Sequence, residues 1–417
     1  MKALLALVVL LPLTARADRP ITLPEAYKAA LGRSEQIALS GANYDETMAR
    51  ADELWSHVMP RVTVMGTETF QDVPKGQSGL FLQHQREQGW VTAHQPLFSG
   101  LREYLAFRAA KDLGRSAELQ LERAKHLLYR DVARAYLDLL AAQDSIRIRS
   151  ALVDITNDRV KDLKGFRKVG RARPSELLAA ESSVAQQVAQ LESARAAEQV
   201  AQFKLAFLTG LDERVVPAPV PEVGAAPPAL EAALSRARAR PDVESRRADR
   251  SSAELSIKVV SRQRWPSIYA DANYYFKRPP SFTSDVRWDA TITGALPIYT
   301  GGEIKSQTRQ MEARMKASDA ALSSAVRTAE LETRSAHQDL VSSASVVAAL
   351  DNAAKLAEDN AKAQAEDYRL GQVTNLDVLG SLNTLQQTRL QQDQARIDAY
   401  WSRVQLEVAA GVPGGSL

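Results

Sequence analysis

Two periods of apolar and polar residues alternate along the chain. The first is helical: between about residues 101 and 166, apolar side chains recur every three or four positions and proline is absent. A second such stretch, from about 304 to 368, contains neither proline nor glycine. Each predicts one helix of roughly 65 residues, about 100 Å long at 1.5 Å per residue. Shorter helices are predicted at about 35–58, 174–209, 242–264 and 375–410.

The second period is two. Over residues 267–276 and 287–296, apolar side chains alternate with polar ones, and residues 61–70 and 89–98 form a weaker pair of the same kind. Strands of about ten residues that are apolar on one face are typical of outer-membrane barrels. A half-buried hairpin in a soluble protein is the alternative. No compact domain holds a helix of about 100 Å, which favours the first interpretation.

Four strands are too few to close a barrel in lipid. Open edges would leave backbone groups unsatisfied, at several kcal/mol each. Three copies of the chain would supply twelve strands, which is a known barrel size. The strands therefore predict an oligomer.

The chain also repeats itself. Residues 95–100 (QPLFSG) resemble residues 296–301 (LPIYTG), and the glycine at 170 corresponds to that at 371, both at an offset of 201 residues. Further upstream, residues 59–62 resemble residues 265–268 at an offset of 206. We predict two repeats, each with a helix, a strand pair, a long helix and a returning helix. They cover residues 18–212 and 230–417, and a Pro-rich linker joins them at 213–229.

A proline and a glycine mark the place where each second strand gives way to a long helix. Proline lacks the N–H that a strand ladder needs, so it suits the end of a strand. We therefore predict strand-to-helix junctions at Pro96 and Gly100 and at Pro297 and Gly301.

The first residues have the pattern of an export signal. Lys2 precedes an apolar run over residues 3–13, and Ala15-Arg16-Ala17 supplies a small-residue cleavage site. The run is too short for a membrane-spanning helix, which needs about 20 residues. A buried N-terminal helix is the alternative. The pattern predicts a signal peptide over residues 1–17 and a mature chain outside the cytoplasm.

Composition narrows the function by exclusion. The 417 residues carry a net charge of only +3, which gives no reason to expect nucleic acid as a partner. With no cysteine, disulfides and thiolate chemistry are excluded. None of the five histidines has metal-ligand spacing, and no phosphate loop or nucleophile motif is present. We therefore expect no catalytic residues, no metal and no cofactor, and a protein that is not an enzyme.

The paired motifs resemble those of a known family. The segments KVGRARPSELLAAES at 168–182 and RLGQVTNLDVLGSLN at 369–383, with QPLFSG, LPIYTG and the export signal, resemble the TolC-like outer-membrane efflux proteins. The resemblance implies a mainly α fold with a small β part. It would be a homotrimer in which very long coiled-coil helices form an α-helical barrel, capped by a 12-stranded transmembrane β-barrel in outer-membrane lipid.

The resemblance also implies a function. The protein would be a passive exit duct for an inner-membrane pump of an efflux or type I secretion system, joined to it by a periplasmic adaptor protein. It would lie in the outer membrane of a Gram-negative cell, with most of the chain in the periplasm. A periplasmic coiled-coil scaffold or adaptor is the alternative, although it has no need of amphipathic strands.

Two sites are implied by the same resemblance. The first is the tip between each long helix and its returning helix, which would contact the adaptor: Val169, Gly170 and Arg171, and Leu370, Gly371 and Gln372. Arg171 stands where the family usually has a small apolar residue. A plain helical hairpin with a C-capping glycine would explain the same residues without any partner.

The second site is the constriction that would form the periplasmic gate. The family places acids after each tip glycine, which here are Glu176 and Asp377, while a further family acid is replaced by Gly380. Tyr368 matches a family position that ties neighbouring coiled coils together, and its hydroxyl is expected to reach Glu176 or a nearby carbonyl. Helix capping would also favour both acids, because each lies in a first helical turn.

Overall fold

A computed structural model describes residues 20–72, 84–211, 215–221 and 227–414. The predicted signal peptide lies outside these residues, as does part of the predicted linker. Eight α-helices and four strands make up the described chain: α1 Leu23–Arg33, α2 Glu35–Ser56, β1 Arg61–Phe70, β2 Gln85–Phe98, α3 Arg102–Lys168, α4 Pro174–Thr209, α5 Leu230–Ala237, α6 Pro241–Ser261, β3 Ser267–Lys277, β4 Trp288–Ala295, α7 Glu303–Arg369 and α8 Asn375–Ala409.

The predicted fold class is confirmed. The long helices α3 and α7 have 67 residues each, and α4 and α8 return from them with 36 and 35. The order of helices and strands in the first half recurs in the second, as the duplication requires. Within the described segments, no helix combines the length and the apolar character needed to cross a bilayer.

Local sequence signals set the helix ends. Thr22 begins α1 with a capping box, in which its backbone N–H donates to Glu25 at 3.0 Å. Pro174 and Pro241 occupy the first turns of α4 and α6, where a missing N–H costs nothing. Ser34 adopts an extended conformation and separates α1 from α2. The sequence predicted neither α1 nor α5, which have only 11 and 8 residues.

The four strands form one antiparallel sheet in the order β1-β2-β3-β4. The two hairpins have equivalent registers, because Arg61 pairs with His94 and Ser267 pairs with Ala295 at the offsets of 206 and 201 residues. Strand β2 starts at Gln85, four residues earlier than predicted. Each of the outer strands, β1 and β4, has one neighbour in the described sheet, so each leaves an edge unpaired.

Backbone contacts divide the chain into two compact units, and each unit takes segments from both halves of the sequence. One contains the described residues up to Glu35 together with Lys125–Ala237 and the residues from Leu331 onward. Its core is built around Tyr136 and Leu205, and the Tyr136 hydroxyl lies 2.8 Å from the Ile21 carbonyl oxygen and 2.6 Å from that of Ala218. The other contains Gln36–Ala124 and Arg238–Glu330, and therefore the whole sheet.

Candidate functional site

The two tips between long and returning helices have the same backbone geometry. At the first, Gly170 has φ +74°, its N–H donates to the Arg167 carbonyl at 3.1 Å, and the next N–H, of Arg171, donates to Phe166 at 2.8 Å. This pair of bonds is a Schellman motif, which ends a helix with a residue in the left-handed region. Glycine is favoured there because the positive φ is strained for other residues. Lack of space is not the reason, since a Cβ at Gly170 would meet nothing within 4 Å.

The second tip reproduces this turn. Gly371 has φ +76°, its N–H donates to the Tyr368 carbonyl at 3.0 Å, and the Gln372 N–H donates to Asp367 at 2.9 Å. In both tips the residue before the glycine is apolar and exposed: Val169 is 69% exposed and Leu370 is 64% exposed. The predicted tip residues therefore present two matched apolar points at the end of the helices.

Four side chains join the four helices just above the tips. The Arg159 guanidinium of α3 lies over the Tyr368 ring of α7, 3.8 Å from its centroid, and its Nε donates to Asn375 Oδ1 of α8 at 3.0 Å. Asn375 Nδ2 donates in turn to the Glu176 carbonyl of α4 at 3.3 Å. The Tyr368 hydroxyl lies 3.5 Å from Glu176 Oε2, so the predicted partners do meet. We call Arg159, Glu176, Tyr368 and Asn375 the tip cluster.

Burial shapes the protonation of the tip cluster. It lowers the pKa of the Arg159 guanidinium, although the neighbouring Tyr368 and acidic groups act in the opposite direction. Burial and the Glu176 carboxylate raise the pKa of the Tyr368 hydroxyl. Tyr368 is therefore protonated at neutral pH and can act as the donor to Glu176.

Asp377 has a different local role from Glu176. Its Oδ2 accepts from the Thr374 hydroxyl at 2.6 Å and from the Thr374 backbone N–H at 2.8 Å, which makes a capping box at the start of α8. These hydrogen bonds lower the pKa of Asp377, whose side chain is exposed. Glu176 also accepts from the Arg173 backbone N–H, at 3.4 Å. The capping geometry expected of both acids is therefore present within the single chain.

Sequence reasoning missed Arg159 and Asn375. Asn375 is 1% exposed at the first position of α8, which is unusual for an amide unless it is hydrogen-bonded. Arg159 precedes the buried Val160 by one position and lies between the buried residues Thr156 and Leu163. An arginine beside a buried helical stripe is only a weak signal of a functional contact. It does not indicate that the contact is with Tyr368, 209 residues further along the chain.

The two strand-to-helix junctions have similar backbones and different surroundings. Gly100 (φ +67°) is buried, and a Cβ there would lie 2.9 Å from the Trp265 Cβ. Arg262 covers this junction by donating to the Gly100 carbonyl at 3.1 Å. Pro96 lies inside β2, paired with Tyr269, and the strand continues past it to Phe98.

The second junction is open. Gly301 has φ +61°, and a Cβ at this position would meet nothing within 4 Å. Pro297 lies beyond the end of β4 at Ala295. The next two residues, Ile298 and Tyr299, are 94% and 89% exposed.

The sheet is apolar on its exposed face. Val62 and Val64 on β1, Tyr274 on β3, and Trp288 and Ile292 on β4 all point to this face and are exposed. The strand register places them together, since Tyr274 pairs with Trp288 and Ala270 with Ile292. A soluble protein rarely exposes so many large apolar side chains in one patch, so this face is suited to lipid.

The opposite face carries hydrogen-bonded polar side chains next to the aromatic rings of Trp90, Tyr269 and Tyr275. His94 Nδ1 lies 2.6 Å from Asp271 Oδ1, Asn273 Nδ2 donates to Asp289 at 2.8 Å, and Arg278 reaches the same carboxylate at 3.2 Å. The sheet thus separates an apolar, lipid-compatible surface from one that carries bonded polar groups, as in the wall of an aqueous pore.

Comparison with solved structures gives the class of fold. CusC matches with a TM-score of 0.84 and 15% identity, over 94% of this chain and 92% of its own. VceC of Vibrio cholerae matches with a TM-score of 0.82 and 18% identity, over 94% and 96%. The open state of the MtrE channel of Neisseria gonorrhoeae gives 0.76 and 17%, over 94% and 89%. At these identities the likeness establishes the fold, which is that of outer-membrane channels.

The sequence supplies the family. The family model for outer membrane efflux proteins matches residues 26–211 and 232–412, which together are most of the chain. The chain belongs to this family, and it is an outer-membrane efflux channel. No curated protein sequence matches it.

Proposed function

We propose that this chain is the exit duct of an efflux system and conducts substrates passively across the periplasm and the outer membrane. Three copies associate, and β4 of one copy pairs with β1 of the next to close a 12-stranded barrel. The observation that carries the proposal is the sheet, whose exposed apolar face and two unpaired edges are both costly in an isolated chain in lipid. Closure satisfies the edges and gives the apolar face to the membrane.

The tips are the proposed contact with a periplasmic adaptor, which couples the duct to an inner-membrane pump. Val169 and Leu370 supply exposed apolar points, and the adjacent glycines leave space for close approach of a partner helix. The double substitution Gly170→Trp with Gly371→Trp, present in every copy, is expected to leave the trimer intact and abolish pump-dependent export. Export that survives the double change would mean that the tips serve only as turns.

The constriction is proposed to use the acids near the tips. Three-fold symmetry would gather three copies of Asp377 and three of Glu176 around one axis, where carboxylates favour cations. Single-channel recordings test this: Asp377→Asn with Glu176→Gln is expected to reduce cation preference and block by trivalent cations. Unchanged selectivity and block would assign both acids to helix capping alone.

A further inference from the structure

The two tips match in backbone and differ in charge. Residues 164–176 carry five basic side chains and one acidic side chain, a net charge of +4. The equivalent residues 365–377 carry one basic and three acidic side chains, a net charge of −2. Because the turn geometry is the same in both tips and each presents one exposed apolar residue, Val169 or Leu370, charge is the main property that distinguishes them.

The positive charge of the first tip is largely uncompensated. Arg167, Lys168, Arg171 and Arg173 are all exposed, and their side chains form no ion pair among the described residues. Arg171 rests against the Phe166 ring, 5.5 Å from its centroid, which holds its guanidinium beside the turn. These cations are therefore available to an external anion.

The second tip is closer to internal balance. Glu366 lies 3.6 Å from Arg369, and the Asp377 carboxylate is held by Thr374. Gln372 takes the place of Arg171, and Thr374 that of Arg173. The difference thus rests on a few positions, two of which can be exchanged without disturbing the turn.

We propose that the first tip binds the end of a partner helical hairpin that carries carboxylates, while the second tip does not select for them. This inference rests on the proposed docking of an adaptor at the tips and adds the chemistry that the partner must present. Arginine suits the role because its planar guanidinium binds a carboxylate through two hydrogen bonds. Val169 supplies the apolar centre of the contact, and the cations around it set partner choice and association rate.

A protein partner fits this end of the molecule better than an anionic membrane. The two tips adjoin, since Asn375 of one side bonds the Glu176 carbonyl of the other at 3.3 Å. A uniformly anionic lipid surface would meet the acidic side chains of the second tip together with the cations of the first. A folded partner can place carboxylates opposite the first tip alone.

The test uses the full-length protein in detergent and two disulfide-stapled helical hairpins that differ only at their turns, one flanked by Glu and the other by Lys. We expect the Glu hairpin to bind about tenfold more tightly at low salt, and this preference to fall as salt screens the exposed charges. The double change Arg171→Gln with Arg173→Thr copies the second tip, so the turn is retained. It should weaken the Glu hairpin about five- to tenfold.

Matched variants keep the result interpretable. Gln372→Arg adds a cation to the second tip and should strengthen binding of the Glu hairpin. Glu366→Gln with Asp367→Asn removes negative charge from the second tip and should not weaken binding of the Glu hairpin. Equal affinity of the two hairpins for the unmodified protein would overturn the inference. So would charge-dependent binding to phosphatidylglycerol vesicles, since the cations would then read a membrane.

The outcome is separable from that of the docking proposal. Suppose that export is lost in the double variant Gly170→Trp with Gly371→Trp while the Glu and Lys hairpins bind the unmodified protein equally. In that case the docking proposal stands and the proposed charge selection is wrong. If export survives those changes, docking itself is wrong whatever the hairpins do.

Discussion

The two strand-to-helix junctions are equivalent in sequence and unequal in environment. Gly100 is buried against Trp265 and bonded by Arg262, and both of these residues precede β3 in the second repeat. Among the residues that the structure describes, none lies within 4 Å of a Cβ placed at Gly301, and Ile298 and Tyr299 beside it are almost fully exposed. Another segment of the chain therefore covers the first junction, whereas no described residue covers the second.

This difference between the junctions indicates which segment of a second copy would cover the junction at Gly301. If the repeats are quasi-equivalent, the second junction should pack on the segment that corresponds to Trp265, which is Met59 at the offset of 206 residues. Within the chain Met59 is exposed, and it lies just before β1, whose outer edge has no neighbour in the described sheet. A second copy would present its Met59 segment to the open junction and its β1 to β4.

The largest expected effect is a covalent link between copies. The observed pair Ala93–Ala272 between β2 and β3 translates, at the two offsets, into Gly294 of β4 opposite Gly66 of β1 in the next copy. The chain has no cysteine of its own. Gly66→Cys with Gly294→Cys should therefore form disulfides between copies after mild oxidation, since paired strands bring Cβ atoms to about 4.5–5.5 Å. Non-reducing gels should show a ladder ending at the trimer.

The control for this disulfide moves one of the two cysteines by one position along β4. Gly66→Cys with Thr293→Cys places the second thiol on the opposite face of the sheet, so it should remain unlinked. Monomer as the main product of the Gly294 pair would contradict the proposed closure of β4 on β1.

The next effect compares the junction glycines directly. Gly100→Ala introduces strain at positive φ and a Cβ 2.9 Å from that of Trp265, so we expect a loss of about 2–4 kcal/mol. Gly301→Ala introduces the backbone strain alone within the chain, at about 1–2 kcal/mol. Thermal unfolding followed by circular dichroism measures both. Equal losses would mean that the second junction is covered as tightly as the first.

A smaller effect is expected at the tip cluster. Arg159→Met removes a hydrogen bond to Asn375 and the stacking on Tyr368, at about 1–3 kcal/mol. The equivalent residue of the second repeat is the exposed Asn360, and Asn360→Met should change stability by less than about 0.5 kcal/mol. Denaturant unfolding measures this pair. A neutral Arg159→Met would show that the cluster is not a structural tie.

The smallest effect is that of pH on Asp377. Its hydrogen bonds to Thr374 put its folded pKa below the unfolded value of about 3.9. The stabilisation is therefore present above pH 4 and is lost as the pH falls through the folded pKa. Asp377→Asn should be less stable than the unmodified protein at pH 7, and the gap should close in acid. A gap that persists below the folded pKa would point to lost packing instead of lost charge.

Much of the fold could be predicted from periodicity. The predicted ends of α3 and α7 lie within about two residues of those observed, because a helix this long repeats its signal many times. The break at Ser34 and the start of β2 could not be predicted in this way. Ser34 separates α1 from α2 although it is neither proline nor glycine, and Gly32 two residues earlier stays within α1. Gln85–Gln88 are polar on both faces.

The site was only partly predictable. The tip glycines and the meeting of Tyr368 with Glu176 followed from the sequence by family resemblance, and the capping of Asp377 followed from its spacing to Thr374. Arg159 and the contrast between the junctions did not follow. Both depend on contacts between segments more than 150 residues apart, and no local pattern encodes these.

The unpaired edges of the sheet also bear on how the protein is made. Until β1 and β4 find partners, each newly exported chain carries two bare strand edges beside an apolar face, which is the surface that most readily captures wrong strands. If three chains close the barrel as proposed, closure slows steeply as the chain concentration falls, whereas aggregation with unrelated proteins does not. We therefore expect a chaperone to cover the sheet during transport to the membrane. The yield of assembled channel should depend on that chaperone more than on the stability of the helices.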